Sequence, residues 1–93
     1  MIRGFRDNDT ERLFRRERGS KLARPLQRAA LRKLLLLDAA ATLDDLHVPP
    51  GNRLEKLVGD REGQYSIRVN DQYRVCFRWE GGDAFDVEVV DYH

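Results

Sequence analysis

The sequence predicts an α+β fold in the order β-α-α-β-β-β-β, with two N-terminal helices packed on one face of an antiparallel sheet. Three features carry this. Apolar residues in the first half recur at helical spacing. After residue 52 they alternate at every second position. The alternating runs are joined by turns of three to five residues, which forces neighbouring strands to be antiparallel. Ninety-three residues with 41% hydrophobic and 35% charged content suit one domain, 1–93.

The segment "IRGF" (2–5) alternates and reads as a short first strand. "NDTERLFRRERG" (8–19) reads as a helix, with Asn8 as N-cap, Glu11 completing a capping box and Gly19 as the stop. "RPLQRAALRKLLLLDAAATLDDL" (24–46) is the strongest helical stretch, opened by Pro25 in its first turn. Leu26, Ala30, Leu34 and Leu37 form its apolar stripe, and Arg28 and Arg32 face away. "VPPGN" breaks it. Four strands follow at 53–58, 64–69, 73–80 and 84–92, separated by "GDREG", "NDQ" and "GGD".

Composition removes several classes of function. The longest apolar run, "LRKLLLLDAAA", contains Arg32, Lys33 and Asp38 and is too short to span a bilayer. The opening "MIRGFRDNDTE" has no apolar h-region, so no secretory signal is expected. A single cysteine, Cys76, makes no internal disulfide, and the expected location is the cytoplasm. Two histidines and one cysteine without ligand spacing give no zinc site, no Gly-rich phosphate loop is present, and no metal or cofactor is expected. His47 reads as a surface residue and Cys76 as a packing residue. The net charge of +1 hides an asymmetry: residues 1–36 carry eleven Lys/Arg against four acids, whereas residues 37–93 carry six against twelve. A basic first third suits a polyanion or an acidic partner, or else a solvated helix face.

The alternation places Tyr65, Ile67, Val69, Tyr73, Val75, Phe77 and Trp79 under the helices, with Phe85, Val87 and Val89 of the last strand. Ser66, Arg68, Arg74, Cys76 and Arg78 fall on the open face. A three-residue loop at 70–72 puts Arg68 opposite Arg74, a like-charge pair that is costly without an anion between them. A three-residue loop at 81–83 pairs Glu80 with Ala84, Arg78 with Asp86 and Arg74 with Val90. Arg68, Arg74, Tyr92 and His93 then cluster at one end of the open face, where Arg74 is expected to make no core contact. Paired arginines bind phosphate, a tyrosine stacks on a base, and a histidine moves a proton near neutral pH. Together they suit RNA cleavage by attack of the ribose 2′-OH on phosphorus.

The run "LVGDREGQYSIRVNDQYRVCFRW", followed by a glycine turn and "DVEVVDYH", resembles the HigB-type toxins of the RelE/ParE superfamily of bacterial toxin–antitoxin systems. The resemblance covers essentially the whole chain. It implies a RelE-like fold and a ribosome-dependent, metal-independent endoribonuclease that cleaves mRNA and inhibits translation. It also implies a cognate helix-turn-helix antitoxin (HigA-like), with operator DNA contacted only through that antitoxin. By match to the family, Asp91, Tyr92 and His93 form the catalytic end and Arg74 contacts the scissile phosphate. Arg68, Lys56, Arg53 and Arg61 are candidate phosphate ligands. Arg12, Arg15, Arg16, Arg28 and Arg32 are candidate ribosomal RNA contacts. Some relatives carry a His and a Lys in the strand before the G-D-R turn. Here "RLEKLVGD" offers Glu55 and Val58 at those places, with Lys56 pointing the other way.

Two other functions fit the same fold. One is a ParE-like toxin that binds DNA gyrase without nuclease chemistry, which has no need of the D-Y-H end. The other is an inactive homologue that serves operon autoregulation through its antitoxin.

Overall fold

The computed structural model describes residues 1–92. Helix α1 spans Asn8–Phe14 and helix α2 Arg24–Ala39. Strands β1 (Glu55–Lys56), β2 (Gln64–Arg68), β3 (Tyr73–Glu80) and β4 (Asp83–Asp91) form one antiparallel sheet in the order β1-β2-β3-β4. Among the described residues no helix is long and apolar enough to cross a membrane.

The helix ends differ from those the sequence suggests. Asp7, not Asn8, caps α1, its carboxylate accepting from the Thr10 N–H at 3.3 Å. Glu11 turns to Arg15 at 3.0 Å instead of closing a capping box. The helix ends at Phe14, short of Gly19. Arg16 takes the left-handed position (φ 59°), its N–H donating to the Leu13 carbonyl, while the Glu17 N–H donates to that of Arg12. This is a Schellman closure with arginine where glycine is usual. Helix α2 stops at Ala39, not near residue 46. Asp45 Oδ2 accepts the N–H groups of Ala41 and Thr42, and the Thr42 hydroxyl accepts the Asp45 N–H. That capping box starts a separate 3₁₀ turn, Leu43–His47.

The expected first strand is reduced to two bridges, Ile2 with Ala84 and Phe5 with Val87, both parallel and both on the outer edge of β4. The expected strand 53–58 keeps only Glu55 and Lys56 on the ladder. Arg53 is left-handed (φ 44°), and the turn Gly59–Arg61 draws the chain away after Leu57.

Ile67, Val75, Phe77, Ala84 and Val87 meet Leu13, Ala30, Leu34, Leu37 and Leu46 in one core. Tyr65, Val69, Trp79 and Val89 flank it half-buried. Both helices therefore lie on one face of the sheet, as expected. The sheet edge is tied to α1 by the Val89 N–H, which donates to Thr10 Oγ1 at 3.0 Å.

The β2–β3 register sets Arg68 opposite Arg74, as the loop length predicts. The β3–β4 hairpin turns on two residues, Gly81 and Gly82, both at positive φ, so Glu80 pairs with Asp83 rather than Ala84. Among the two-residue turns whose twist matches the strands, type I′ requires φ > 0 at both central positions, which glycine adopts freely. The one-residue offset is absorbed by a bulge. Arg78 pairs with Phe85 but Cys76 with Glu88, and Asp86 sits at φ 52°. Beyond the bulge the register is the expected one, with Arg74 opposite Val90. The bulge also turns Phe85 away from the core, where the Arg78 guanidinium lies over its ring at 5.5 Å, and puts Ala84 inside.

Candidate active site on the sheet face opposite the helices

The face opposite the helices is not flat and open. Ser66, Arg74 and Cys76 on it are buried. Arg74 is only 8% exposed, contrary to the expectation of a solvated arginine free of packing. Its Nε–H donates to Ser66 Oγ at 2.7 Å, and Nη2 donates to the Arg53 carbonyl oxygen at 2.6 Å. Its Nη1 lies 3.9 Å from Glu55 Oε1. The Tyr92 ring centroid is 5.8 Å from its Cζ, within cation–π range. Backbone pairing brings these groups together. Glu55 pairs with Ser66 across β1–β2, and Ser66 is the diagonal neighbour of Arg74 across β2–β3.

Arg68 faces Arg74 along the backbone, but its side chain turns outward to Asp71. Arg61 reaches the same sheet face from the Gly59–Arg61 turn. Its Nη1 donates to Glu88 Oε1 at 2.7 Å and to Gln64 Oε1 at 3.1 Å. Glu88's hydrogen bond pushes Arg61 further above its already high range. Cys76 lies buried beside this pair, and burial pushes its thiol up, away from the thiolate. Asp91 pairs with Tyr73 and accepts from Gln72 Nε2 at 3.0 Å, and the Tyr92 N–H donates to the Gln72 carbonyl at 2.6 Å. The last strand is thus fastened through Tyr92. His93 lies outside the described residues.

The structure separates the remaining candidates from this cluster. Arg53 contributes its carbonyl to Arg74, while the residue itself is exposed. Lys56 pairs with Tyr65 and points to the helix side, lining a depression of about 430 Å³ with Leu43, His47 and Leu54. The alternation already put Lys56 opposite to Glu55, so it does not join Arg74. His47 is exposed and lies 3.7 Å from Asp44. Arg12, Arg15, Arg16, Arg28 and Arg32 are all exposed on the helical layer, on the other side of the sheet from Arg74. Arg16 and Arg28 flank a cleft between the helices floored by Leu13 and Leu31. Among the described residues no group of three or more histidine, cysteine or carboxylate side chains is placed to hold a metal ion.

The family description "RelE-like toxin of type II toxin-antitoxin system HigB" matches residues 3–93. The chain belongs to the HigB-like toxins. It is 42% identical over 87 residues to "Toxin HigB-1" of Vibrio cholerae, covering 92% of each chain. It is 33% identical to "Endoribonuclease HigB" of Proteus vulgaris, covering the whole of both. Among solved structures it superposes on a chain of the YoeB-YefM complex from Staphylococcus aureus with a TM-score of 0.63 at 14% identity, covering 100% of this chain and 98% of that one. That likeness shows the fold. In this HigB-like toxin, then, the buried arginine, the glutamate beside it and the tyrosine over it form the candidate site. Sequence reasoning placed Ser66 on the right face but gave it no role. Its diagonal relation to Arg74, which follows from the predicted register, was the available signal.

Proposed function

We propose that this chain is the RNA-cleaving toxin of a type II toxin–antitoxin pair and that it cuts mRNA on the ribosome, inhibiting translation. The observation that carries the reading is Arg74, buried and fixed by two hydrogen bonds with Glu55 at 3.9 Å and the Tyr92 ring at 5.8 Å. A relative named as an endoribonuclease over the full length supports it.

In this reading Tyr92 stacks on a base beside the scissile phosphate. Glu55, half exposed beside Arg74, takes the proton from the ribose 2′-OH. The 2′-oxygen bonds to phosphorus, and Arg74 stabilises the charge that builds on the phosphoryl oxygens. The bond to the 5′-oxygen breaks, His93 supplies the proton to that leaving oxygen, and a 2′,3′-cyclic phosphate remains. Arg68 and Arg61 border the site, each already facing an acid, Asp71 and Glu88. They take up phosphate only by exchanging those partners.

So few catalytic groups need a substrate held in place from outside, which is the role assigned to the ribosome. The exposed arginines of the helical layer, Arg12, Arg16, Arg28 and Arg32, contact ribosomal RNA in this reading. Arg15 does so only by leaving Glu11. A helix-turn-helix antitoxin silences the toxin in the cytoplasm and carries the complex to operator DNA.

The test is to induce the chain without antitoxin and map the ends of cellular mRNA. Cuts confined to translated regions, with purified protein nearly inert on naked RNA, are the expected result. Growth arrest with intact mRNA and inhibited supercoiling would point instead to gyrase, and no effect at all would point to an inactive homologue.

A further inference from the structure

Arg74 is fastened before any substrate arrives. A guanidinium carries five N–H donors in one rigid plane. The pair on its side edge, Nε and Nη2, is spent on Ser66 Oγ and the Arg53 carbonyl. Three N–H groups remain, the second on Nη2 and both on Nη1, and Nη1 faces Glu55 at 3.9 Å.

Both acceptors are themselves immobile. Ser66 is fully buried in β2, between Glu55 of β1 and Cys76 of β3. Arg53 caps the Pro50–Asn52 turn, its N–H donating to the Pro50 carbonyl at 3.1 Å, which holds its own carbonyl in place. Asn52, also fully buried, pins that turn: its amide donates to the Leu46 and Val48 carbonyls at 3.1 and 3.3 Å, and its Oδ1 accepts from Lys33 Nζ at 2.5 Å. Ser66, at zero exposure, touches no RNA itself.

We infer that Ser66 is a positioning residue: its hydroxyl, together with the Arg53 carbonyl, sets the plane of the Arg74 guanidinium so that the Nη1 end meets the phosphate. This rests on the RNA-cleaving reading above. A long cation on a flexible stem would otherwise sample many rotamers, and displacement of a reacting group by an ångström costs on the order of a hundredfold in rate. The Nε–H bond removes that freedom during folding, before the substrate is bound.

The test compares Ser66→Ala, which removes the acceptor without adding bulk, with Ser66→Thr, which keeps a hydroxyl. Two measurements are made on each. The first is the arginine Nε–H resonance of the free protein, followed by nitrogen-15 NMR and assigned to Arg74 by its loss in Arg74→Lys. The second is steady-state cleavage of mRNA on programmed ribosomes, normalised to folded protein, with kcat and KM separated.

In Ser66→Ala the Arg74 resonance should shift and exchange faster with solvent, and kcat should fall about ten- to a hundredfold with KM for ribosomes unchanged. Ser66→Thr should recover most of both. A merely structural serine would lower the melting temperature but leave kcat per folded molecule and the resonance in place, and that result overturns the inference. If the intact protein cuts no RNA on any ribosome while the resonance still moves in Ser66→Ala, the nuclease reading falls and the fixing of Arg74 by Ser66 stands.

Discussion

Arg68 and Arg74 stand directly opposite each other on β2 and β3, yet their guanidinium groups part: Arg68 turns out to Asp71, and Arg74 turns in to Ser66 and the Arg53 carbonyl. Two like charges on adjacent strands repel. Here each is drawn to a different set of acceptors, so the pair costs less than its register suggests and one member is left fixed near Glu55.

Arg74→Ala therefore does more than empty a phosphate site. It strips the buried Ser66 hydroxyl and Arg53 carbonyl of their donor, which should cost about 1–3 kcal/mol of stability. Cleavage on ribosomes should fall about a hundredfold or more. Urea denaturation read alongside mRNA cleavage checks both; an unchanged midpoint would mean that Arg74 is not packed as described.

Arg68→Ala should behave in the opposite way. Its partner Asp71 is almost fully exposed, so the lost ion pair is worth at most about 1 kcal/mol. Removal relieves repulsion with Arg74 and with Lys33, whose pKa is held down by burial and by the nearby Arg32 and Arg68 charges. The melting temperature should hold or rise, with the gain larger in low salt than in high salt. A clear fall at low salt would show that the Asp71 contact dominates.

Glu55→Gln and Lys56→Ala separate the two faces of β1. Glu55→Gln removes the proposed base and should lower kcat about a hundredfold or more. Lys56→Ala, on the helix side, should leave cleavage within about twofold, because the side chain does not approach Arg74. Cleavage-rate assays with matched protein levels decide this, and a large Lys56 effect would return that lysine to the site.

Thr10→Val keeps the shape but removes the acceptor for the Val89 N–H. With Thr10 at 2% exposure, an orphaned amide there should cost about 1–3 kcal/mol. Hydrogen exchange at Val89 should accelerate while the β2–β3 amides stay protected. Uniform acceleration across the sheet would instead mean global unfolding.

Asp45 gives an acid-side dependence. Hydrogen bonds from the Thr42 and Ala41 backbone N–H groups hold its carboxyl below the usual range. A folded-state pKa below the unfolded one favours the fold above the unfolded value of about 3.9, and this contribution fades as pH falls through the folded value. Asp45→Asn should lower the melting temperature at pH 7 but make little difference near pH 2. Equal destabilisation at both pH values would assign the loss to shape rather than charge.

Much of this was readable from residue order. The change of period near residue 52 announced two helices followed by a meander, and the "NDQ" turn fixed the Arg68–Arg74 register. What escaped was decided by backbone rather than pattern. The Gly81–Gly82 turn and the Asp86 bulge are offsets of opposite effect, so neither disturbed the predicted Arg74–Val90 pairing, but together they reversed Phe85. Arg16 and Arg53 adopt left-handed backbone with no glycine to signal it. The burial of Asn52 and Arg74 depends on partners remote in sequence, Lys33 and the Arg53 carbonyl, which no local window contains. Thr42 and Asp45 did carry the spacing of a capping box, a signal masked by the alanine-rich run before them.

The stitching of the first residues to β4 also sets an order of events during synthesis. Ile2 and Phe5 bridge to Ala84 and Val87, and Thr10 meets Val89 across 79 positions of chain. Contacts this distant in sequence pay their loop-closure entropy late. The opening segment of a nascent chain must wait, unpaired, until β4 leaves the ribosomal exit tunnel, and Arg74 and Tyr92 come together only at that same moment.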